Sequence, residues 1–394
     1  MLGVVPALLL SLSVGCGPSS GAGDTAPDGG APLGEGGTEG GTDGGTGDGA
    51  TSPTCTVLGT NVLADDVKEL SNLSVAGNSL VFLSADLTLA TPPGIEKIQQ
   101  DGTGRTALYT PAGNRRVHSL HVAGDRVFFF ESDTAAAVPV DELWSMPVAG
   151  GTPTRLGTDD FGDRRFVGSD ATYLYVSYVT NAPIGARFDR IDMTTGAVQN
   201  VAIVTDRGTA TQASLSGNDI FFFAGGVGGN ANVSDIFRFD KSGSGVTPTI
   251  LPGGTDALCD SRLGGLYATP TKLACGFGGI KAGGRDGSGI GVVVPRDQLH
   301  PSSTILVGSD AEMLYLLDRE QTAKGTGTLR KVASSGGALL PVACDLSTVQ
   351  NPLINAVFPV QNEYEVVIGS SDVFWVEHRG SSPSTKWFVR RAPK

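Results

Sequence analysis

The chain has few charged residues, few histidines and almost no helical periodicity. Of its 394 residues only 17% are charged and four are histidine. A helical protein of this length needs long segments with apolar residues spaced three to four apart, and only 65–74 offers a short one. The sequence also lacks the G-x-S-x-G, H-E-x-x-H and G-x-x-x-x-G-K-[ST] motifs. It therefore shows no nucleophile elbow, no zinc-binding helix and no phosphate loop.

Glycine and β-forming residues are abundant instead. The chain contains 57 glycines and is 40% hydrophobic, a composition that favours many short strands joined by tight turns. The formal net charge is -12. Residues 1–53 hold six acidic residues and no Lys or Arg, which leaves 34 acidic and 28 basic residues in the remainder. Such a mildly acidic body gives no basic footprint for a nucleic acid, so we expect no nucleic-acid partner.

The first fifteen residues form an apolar run that ends at Cys16. The run is too short for a permanent membrane span but long enough for the core of a signal peptide. The letters L-S-V-G-C at its end resemble the lipobox of bacterial lipoproteins. The resemblance implies export, acylation of Cys16 and anchoring in the outer membrane, on either its periplasmic or its outer side. The alternative is cleavage by ordinary signal peptidase, which would leave Cys16 in a secreted chain.

Residues 16–53 have the composition of a tether. They are rich in Gly, Thr and Asp and contain almost no apolar bulk, so burial cannot offset the entropy that ordering would cost. A Gly-rich random coil of this length spans roughly 30–40 Å from end to end. We therefore expect a signal peptide over 1–15, a lipidated cysteine with a flexible tether over 16–53, and one folded domain over 54–394.

The folded part repeats itself. An apolar or aromatic run follows an Asn, Asp or Gly turn at intervals of 40 to 60 residues. The runs begin at Leu80, Val127, Tyr173, Ile220, Leu273, Met313 and Val373. Four-stranded units of this length are typical of a β-propeller. The sequence therefore predicts an all-β chain with a single β-propeller of seven four-stranded blades, with six or eight blades as alternatives.

A second marker sets the register of the units. A basic or polar residue followed by an apolar one recurs before a Gly-containing turn, at Lys97, Ser145, Arg190, Arg238, Lys331 and Arg391. The fifth unit lacks this marker, and we expect 276–291 to be a glycine-rich insertion loop. The seventh unit ends before its fourth strand, whereas 54–62 resembles a fourth strand without a unit. Pairing these two ends would close the ring and remove an exposed sheet edge.

The amino-acid sequences of the repeat units resemble those of a known class of propeller. The segments L-W-S-M-P-V-A-G-G-T-P-T-R-L at Leu143–Leu156 and K-V-A-S-S-G-G-A-L-L-P-V at Lys331–Val342 are similar to propellers of the YWTD and TolB-like kind, including those of low-density-lipoprotein receptors. The resemblance covers most of 54–394. It implies a blade architecture and a place in a bacterial envelope, and it specifies no activity.

Five cysteines leave four once Cys16 is acylated. An even number in an exported protein favours disulfides. Cys259 and Cys275 flank the first strand of unit five, while Cys55 lies in the proposed closing strand and Cys344 at the end of unit six. We expect a Cys259–Cys275 and a Cys55–Cys344 bridge, although the spacing alone permits two other pairings. The sequence has no C-x-x-C motif, which argues against a zinc site.

Most candidate chemistry lies at one face of the ring, formed by the connections between the second and third strands and by those between successive blades. The groups available there are Glu131, Asp133, Asp318, Glu320, Glu377 and His378. Converging carboxylates could bind Ca²⁺ or act as acid and base, whereas the simpler interpretation is solvated loop ends. His118 and His121 alternate on a first strand, where a ligand role competes with a structural one. The triplets Phe128–Phe130 and Phe221–Phe223 fit core packing better than a sugar or base platform.

These observations support three functional hypotheses. The first is a membrane-tethered lipoprotein that binds a protein or glycan partner without catalysis and needs no cofactor. The second is a calcium-dependent hydrolase or lyase that acts at the loop face. The third is a component of an envelope assembly or transport machine, as TolB-like propellers are. The sequence assigns no catalytic, cofactor-binding or metal-binding residue.

Overall fold

The computed structural model describes residues 62–66, 68–85, 92–137, 140–162, 164–181, 184–205, 210–225, 234–252, 265–276, 279–299, 304–319, 326–347, 366–379 and 386–394. All of them belong to the second of two compact units, Thr51–Lys394. The predicted signal peptide and tether, with Cys16, lie outside these ranges, as do Cys55 and Cys259. Within the described ranges, no helix is long and apolar enough to cross a membrane.

In the described part of the chain, twenty-eight strands form seven antiparallel four-stranded sheets. In blades one to three the strands are β2 (Glu69–Ala76), β3 (Ser79–Ala85), β4 (Gly94–Gln99) and β5 (Thr106–Tyr109); β6 (Arg115–Ala123), β7 (Arg126–Asp133), β8 (Asp141–Pro147) and β9 (Thr154–Arg155); β10 (Arg165–Ser169), β11 (Tyr173–Asn181), β12 (Ile184–Asp192) and β13 (Val198–Thr205).

Blades four to six repeat this order. Their strands are β14 (Ala210–Ser216), β15 (Asp219–Gly225), β16 (Ser234–Asp240) and β17 (Thr249–Ile250); β18 (Leu266–Ala268), β19 (Lys272–Gly276), β20 (Gly279–Gly284) and β21 (Gly291–Pro295); β22 (Thr304–Asp310), β23 (Met313–Arg319), β24 (Thr326–Ala333) and β25 (Leu340–Ser347). The one described helix is a 3₁₀ turn at Arg296–Gln298. The prediction of seven blades is confirmed.

Blade seven closes the ring with a strand from the other end of the chain. Its first three strands are β26 (Val367–Ile368), β27 (Asp372–Arg379) and β28 (Lys386–Pro393), and its fourth is β1 (Val62–Asp66). Antiparallel pairing places Val62 opposite Arg390 and Asp66 opposite Trp387. Closure by an N-terminal strand is therefore confirmed, although the strand begins at Val62, where the predicted segment ends.

The hydrophobic core lies between the blades. Seven separate clusters of buried side chains each join one blade to the next, and the cluster of Phe374, Val376, Leu80 and Phe82 joins blade seven to blade one. Successive side chains of a strand point to opposite faces. In β7, Val127 and Phe129 therefore pack towards blade one, whereas Phe128 and Phe130 pack towards blade three.

The aromatic triplets belong to this core, as predicted. Phe128–Phe130 and Phe221–Phe223 are fully buried, each with 0% exposure. The second strand of a blade carries apolar residues on both faces because a neighbouring blade covers each of them. Burying one such side chain contributes about 1.5–3 kcal/mol, so these strands account for a large part of the stability of the ring.

One local expectation was wrong, and the short helical signal at 65–74 is overridden. The described part of 65–74 forms the end of β1 and the start of β2, where Leu70 and Leu73 are buried between blades seven and one. The stretch 276–291 is no insertion loop. It contains the whole of β20, which pairs with β19 and β21. A Cβ at Gly283 would lie 2.3 Å from Ile290 Cγ1. Glycine is therefore required at this position because the strand is tightly packed.

The two ends of the ring differ in their connections. We call the end with the first-to-second and third-to-fourth strand turns the turn face, and the opposite end the loop face. Gly77, Gly124 and Gly217 in the turns have φ values of +58°, +60° and +57°, as two-residue hairpins require. The chain enters β1 at the turn face and ends there at Lys394, whose backbone N–H donates to Ser371 O over 3.0 Å.

The basic marker residues bond neighbouring blades together at the turn face. Lys97 Nζ donates to Val148 O over 3.0 Å, and Arg190 Nη1 donates to Ser242 O over 3.1 Å. Arg391 Nη1 donates to Gln100 O over 2.8 Å. Each of these donors lies on a third strand, and each acceptor lies in the following turn of the next blade. The Arg391 bond joins blade seven to blade one, so it reinforces the closure made by β1.

Ion pairs also connect blades in the reverse direction, at the interface of blades three and four that Arg190 bridges and at the interface of blades six and seven. Lys241 Nζ of blade four lies 2.8 Å from Asp170 Oδ2 of blade three, and Lys394 Nζ of blade seven lies 2.6 Å from Asp310 Oδ2 of blade six. Burial raises the pKa of Asp170, but hydrogen bonds from Lys241, Tyr175 and nearby backbone N–H groups outweigh it and leave the pKa lowered. The turn face is thus largely occupied by contacts between blades.

We expect Arg391→Met to lower the free energy of unfolding by about 1–2 kcal/mol, because it removes a charged hydrogen bond between the first and last blades. Denaturant unfolding measures the change. Lys331→Met is the matched control, since Lys331 holds the equivalent strand position but makes no hydrogen bond among the described residues; we expect a change within about 0.5 kcal/mol. Equal losses in the two variants would contradict this role for Arg391.

Candidate functional site

Three of the predicted carboxylates occupy one equivalent position. Glu131, Asp318 and Glu377 are the sixth residues of the second strands of blades two, six and seven, near the loop face. They are 0%, 9% and 4% exposed, so the expectation of solvated loop ends is wrong for all three. A buried carboxylate is costly unless it is paired, and each of the three is paired with arginine.

Glu131 lies at the interface of blades one and two. Its Oε2 accepts from Arg115 Nε over 2.6 Å, and its Oε1 accepts from the hydroxyl of Tyr109 over 2.6 Å. The same arginine contacts Glu142, which also lies 2.8 Å from Arg155 Nη1. Two arginines therefore balance two glutamates. Burial first, and the hydrogen bond to Glu131 second, raise the pKa of Tyr109, which keeps its hydroxyl a donor.

Glu377 and Asp318 are held in a similar way. Glu377 Oε1 lies 2.5 Å from Arg390 Nε and 3.0 Å from Arg379 Nε. Asp318 Oδ1 accepts from Thr304 Oγ1 over 2.8 Å, and its Oδ2 lies 3.3 Å from Arg330 Nη2. These contacts make both carboxylates structural ion-pair partners, since they occupy the oxygens that a metal or a substrate would use.

The remaining predicted groups add no further ligand set. Asp133 is half-buried, and its Oδ1 accepts from Ala135 N over 2.9 Å within a turn. Glu320 and the side chain of His378 lie outside the described residues. Within the described part of the chain, no group of three or more His, Cys, Asp or Glu side chains could hold a metal ion. The prediction of a calcium site therefore gains no support there.

Both histidines of β6 stack on phenylalanines between blades two and three. The ring of His118 lies 6.1 Å from that of Phe130, and the ring of His121 lies 5.6 Å from that of Phe166. His118 Nε2 is also 3.2 Å from Asp141 Oδ1, and His121 Nε2 is 2.9 Å from Ser169 Oγ. These contacts support the structural interpretation of the two histidines.

A fourth buried carboxylate, Asp189 on β12, was not foreseen. It is fully buried between blades two and three, with Arg187 Nε 2.9 Å from Oδ1 and Arg164 Nη2 3.5 Å from Oδ2. The sequence holds only a faint signal for it: an acid in a third strand with an arginine two residues before it. No sequence motif marks Asp189 with its two arginines, or Asp235 on β16, which is also buried.

The described cysteines lie in neighbouring blades. Cys275 is in β19, 2% exposed, and Cys344 is half-buried in β25. Both are half-cystines rather than titrating thiols. The cysteines with which we expect them to pair, Cys259 and Cys55, lie outside the described ranges, so both pairings stay predictions.

Known structures share this architecture at low sequence identity. The acylaminoacyl peptidase of Pyrococcus horikoshii matches with a TM-score of 0.56 and 10% identity, over 82% of this chain and 52% of that one. The propeller domain of the trilobed protease from Pyrococcus furiosus matches with a TM-score of 0.52 and 10% identity, over 82% and 95%. This chain therefore spans about half the length of the acylaminoacyl peptidase.

An oligogalacturonate lyase in complex with manganese also matches, with a TM-score of 0.50 and 11% identity, over 86% of this chain and 96% of that one. At these identities the shared feature is the fold. TolB from Acinetobacter baumannii matches with a TM-score of 0.41 and 13% identity over 68% of this chain and 64% of that one, so the narrower resemblance to TolB-like propellers stays a prediction. No family model matches the sequence, and no curated protein matches it.

The trilobed protease propeller is described as having an open velcro topology. The present ring differs from it, because β1 pairs with β28 and joins the two ends of the propeller. Strand pairing between the ends opposes separation of blades one and seven.

We expect the free energy of unfolding to fall as the pH drops from about 6.5 to about 4. Burial lowers the pKa of His121 to about 4, below the value near 6.5 of an unfolded histidine. The folded state therefore resists protonation over this window, and stability present above it is lost within it, by up to about 3 kcal/mol. Denaturant unfolding at several pH values measures the loss.

The variant His121→Gln should make the unfolding free energy flatter over the same window, since it removes the titrating group but can keep a hydrogen bond to Ser169. His118→Gln is the control and should retain the wild-type pH dependence. If the two variants behave alike, His121 is not the group responsible.

Proposed function

We propose that this chain is an exported, membrane-tethered β-propeller that binds a protein or glycan partner at its loop face without catalysing a reaction. The observation that carries the proposal is the pairing of Glu131, Asp318 and Glu377 with arginines. These three carboxylates are therefore engaged in ion pairs with arginines and do not form an acid–base pair or a metal site. What varies between blades is the loops, where a partner would be recognised.

The position of the chain ends supports the loop face as the binding face. β1 begins at the turn face, and the third-strand cations there are bonded to the next blade. The longest intervals between consecutive strands follow β17 and β25, which are fourth strands and end at the loop face.

Cross-linking in native membranes tests partner binding. We expect a photo-reactive residue in place of Val140, which is 40% exposed beside the loop-face end of β8, to recover one reproducible partner. The same residue in place of Lys331, at the turn face, is the control and should recover little of it. Failure to recover any reproducible partner from Val140 and two further loop-face positions would contradict the proposal, as would equal recovery from both faces.

The anchor has a test of its own. We expect Cys16→Ser to move the protein from the membrane fraction to the soluble fraction, because it removes the sulfur that acylation requires. A single acyl chain adds about 0.8 kcal/mol of membrane affinity per buried CH₂. Ser19→Ala, outside the L-S-V-G-C segment, is the control and should leave the protein in the membrane fraction. Membrane retention of Cys16→Ser would show that another segment anchors the chain.

We also propose the two disulfides Cys259–Cys275 and Cys55–Cys344. The second would connect the segment before β1 to β25 of blade six, next to the blade that β1 completes. A covalent link near the point of closure restricts the unfolded chain and could contribute several kcal/mol, about 2–5 by loop-entropy estimates.

A second candidate is a metal-dependent lyase or hydrolase. It is favoured by the whole-chain match to a lyase determined with manganese, of which 96% is covered. Calcium or manganese ions would then bind through groups beyond the arginine-paired carboxylates. Cleavage of a substrate that depends on Ca²⁺ or Mn²⁺ and is abolished by a chelator would establish this candidate and displace the non-catalytic one.

A further inference from the structure

The loop-face end of the interface between blades two and three holds two arginines around one buried carboxylate. Arg164 and Arg187 share the single carboxylate of Asp189. The other hydrogen bond that Asp189 receives from a charged or amide group is from the neutral Asn200, over 3.2 Å. Two guanidinium groups against one carboxylate leave a formal charge of +1.

The corresponding interface between blades one and two has no such excess. There Arg115 and Arg155 face Glu131 and Glu142, and all four side chains are joined by ion pairs. Its formal charge is therefore zero. Both groups of charges lie at the loop-face end of an interface between blades, but their formal charges differ. The balanced group between blades one and two therefore serves as the control for the group between blades two and three.

The two arginines are held in place by aromatic rings. The guanidinium carbon of Arg164 lies 4.5 Å from the ring centre of Tyr178 and 5.2 Å from that of Phe161, and that of Arg187 lies 5.5 Å from Tyr178. Arg164 Nη1 is fixed further by donating to Asp160 O over 2.7 Å. Cation–π contacts orient a guanidinium without using its N–H donors, so donors remain for an acceptor from outside.

Those donors are incompletely used. Arg164 Nε is buried and has no hydrogen-bond partner among the described residues, and a buried donor without an acceptor is costly. The side chain of Arg164 is 12% exposed, whereas that of Arg187 is 34% exposed. Arg187 therefore provides the open side of the group, and Arg164 provides a deeper, rigidly held donor behind it.

We propose that Arg164 and Arg187 form an anion subsite at the loop face that takes a carboxylate group of a small ligand. A guanidinium matches the two oxygens of a carboxylate in plane, and one incoming negative charge would cancel the excess of +1. The carboxylate would bind at Arg187, the more exposed of the two side chains, with Arg164 adding positive charge behind it. This proposal depends neither on lipidation nor on a macromolecular partner, so it can fail while the proposed function holds.

The test follows the arginine Nε–H signals in nitrogen-15 NMR spectra of the full propeller during titration. The probes are sodium glucuronate, N-acetylglutamate and inorganic phosphate at constant ionic strength, with glucose as the uncharged comparison. Loss of a signal in Arg164→Lys assigns the Arg164 resonance. We expect both carboxylates to shift that resonance saturably and glucose to leave it unchanged.

Arg187→Met should weaken carboxylate binding about tenfold or more, since it removes the exposed guanidinium. Arg187→Lys should restore part of the affinity because it keeps the charge. Arg155→Met, in the balanced interface, should bind as the wild type does. Thermal unfolding of each variant shows whether it is folded. If Arg187→Met does not fold, Arg187→Lys, which keeps a cation beside Asp189, carries the comparison.

Three outcomes would overturn the proposal. The first is a shift that rises linearly with probe concentration. The second is an equal loss of binding in Arg155→Met and Arg187→Met. The third is a response to phosphate alone, which would exclude a carboxylate as the ligand group. Saturation by glucuronate but not by N-acetylglutamate, or the reverse, would support the subsite and show which carboxylate source it accepts.

Discussion

The covering of each blade on both faces by its neighbours is the constraint on which the rest of the structure depends. The second strand of a blade is apolar on both sides, and each side belongs to a different interface cluster, as Phe128 and Phe129 show. A blade at an open end would expose one of these faces to water. The ring therefore needs a last interface as complete as the other six, and β1 provides it by completing blade seven against blade one.

Charge is arranged around this apolar layer. Towards the turn face, third-strand cations and the ion pairs at Asp170 and Asp310 connect successive blades. Towards the loop face, buried carboxylates such as Glu131 and Glu377 are neutralised by arginines. A buried ion pair contributes less to stability than its geometry suggests, because both ions lose their hydration. Removing one partner is nevertheless costly, so these pairs fix how neighbouring blades meet.

The pairing of carboxylates with arginines bears on function because a carboxylate can serve either in acid–base catalysis or in an ion pair that stabilises the fold. Carboxylates close to a loop face would be candidates for acid–base chemistry if their oxygens were free. Here Glu131, Asp318, Glu377 and Asp189 are all engaged by guanidinium groups. At Glu377 and at Asp189 two arginines share one carboxylate, which places guanidinium groups near the loop face. A binding role for the loop face is consistent with this placement.

The sequence alone determined the blade count and the closure, because each depends on a local, repeated signal. Turn residues, apolar runs such as Val127–Phe130 and the basic markers recur in register, and a strand missing at one end of the chain was present at the other. The prediction fails at 276–291, which contains the glycine-rich strand β20. Its sequence resembles a loop because it lacks the alternation of apolar and polar residues by which a strand is recognised.

Only the tertiary structure decided what the polar residues do. The partners of Glu131 and Asp189 are brought together by the stacking of blades; Arg164 lies 25 residues from Asp189 in the sequence. The same stacking gave the marker Arg391 a partner in the first blade, at Gln100. Strand formation follows from neighbouring residues and can be read along the chain. The pairing of charges depends on which faces meet, and that is set by the closed ring.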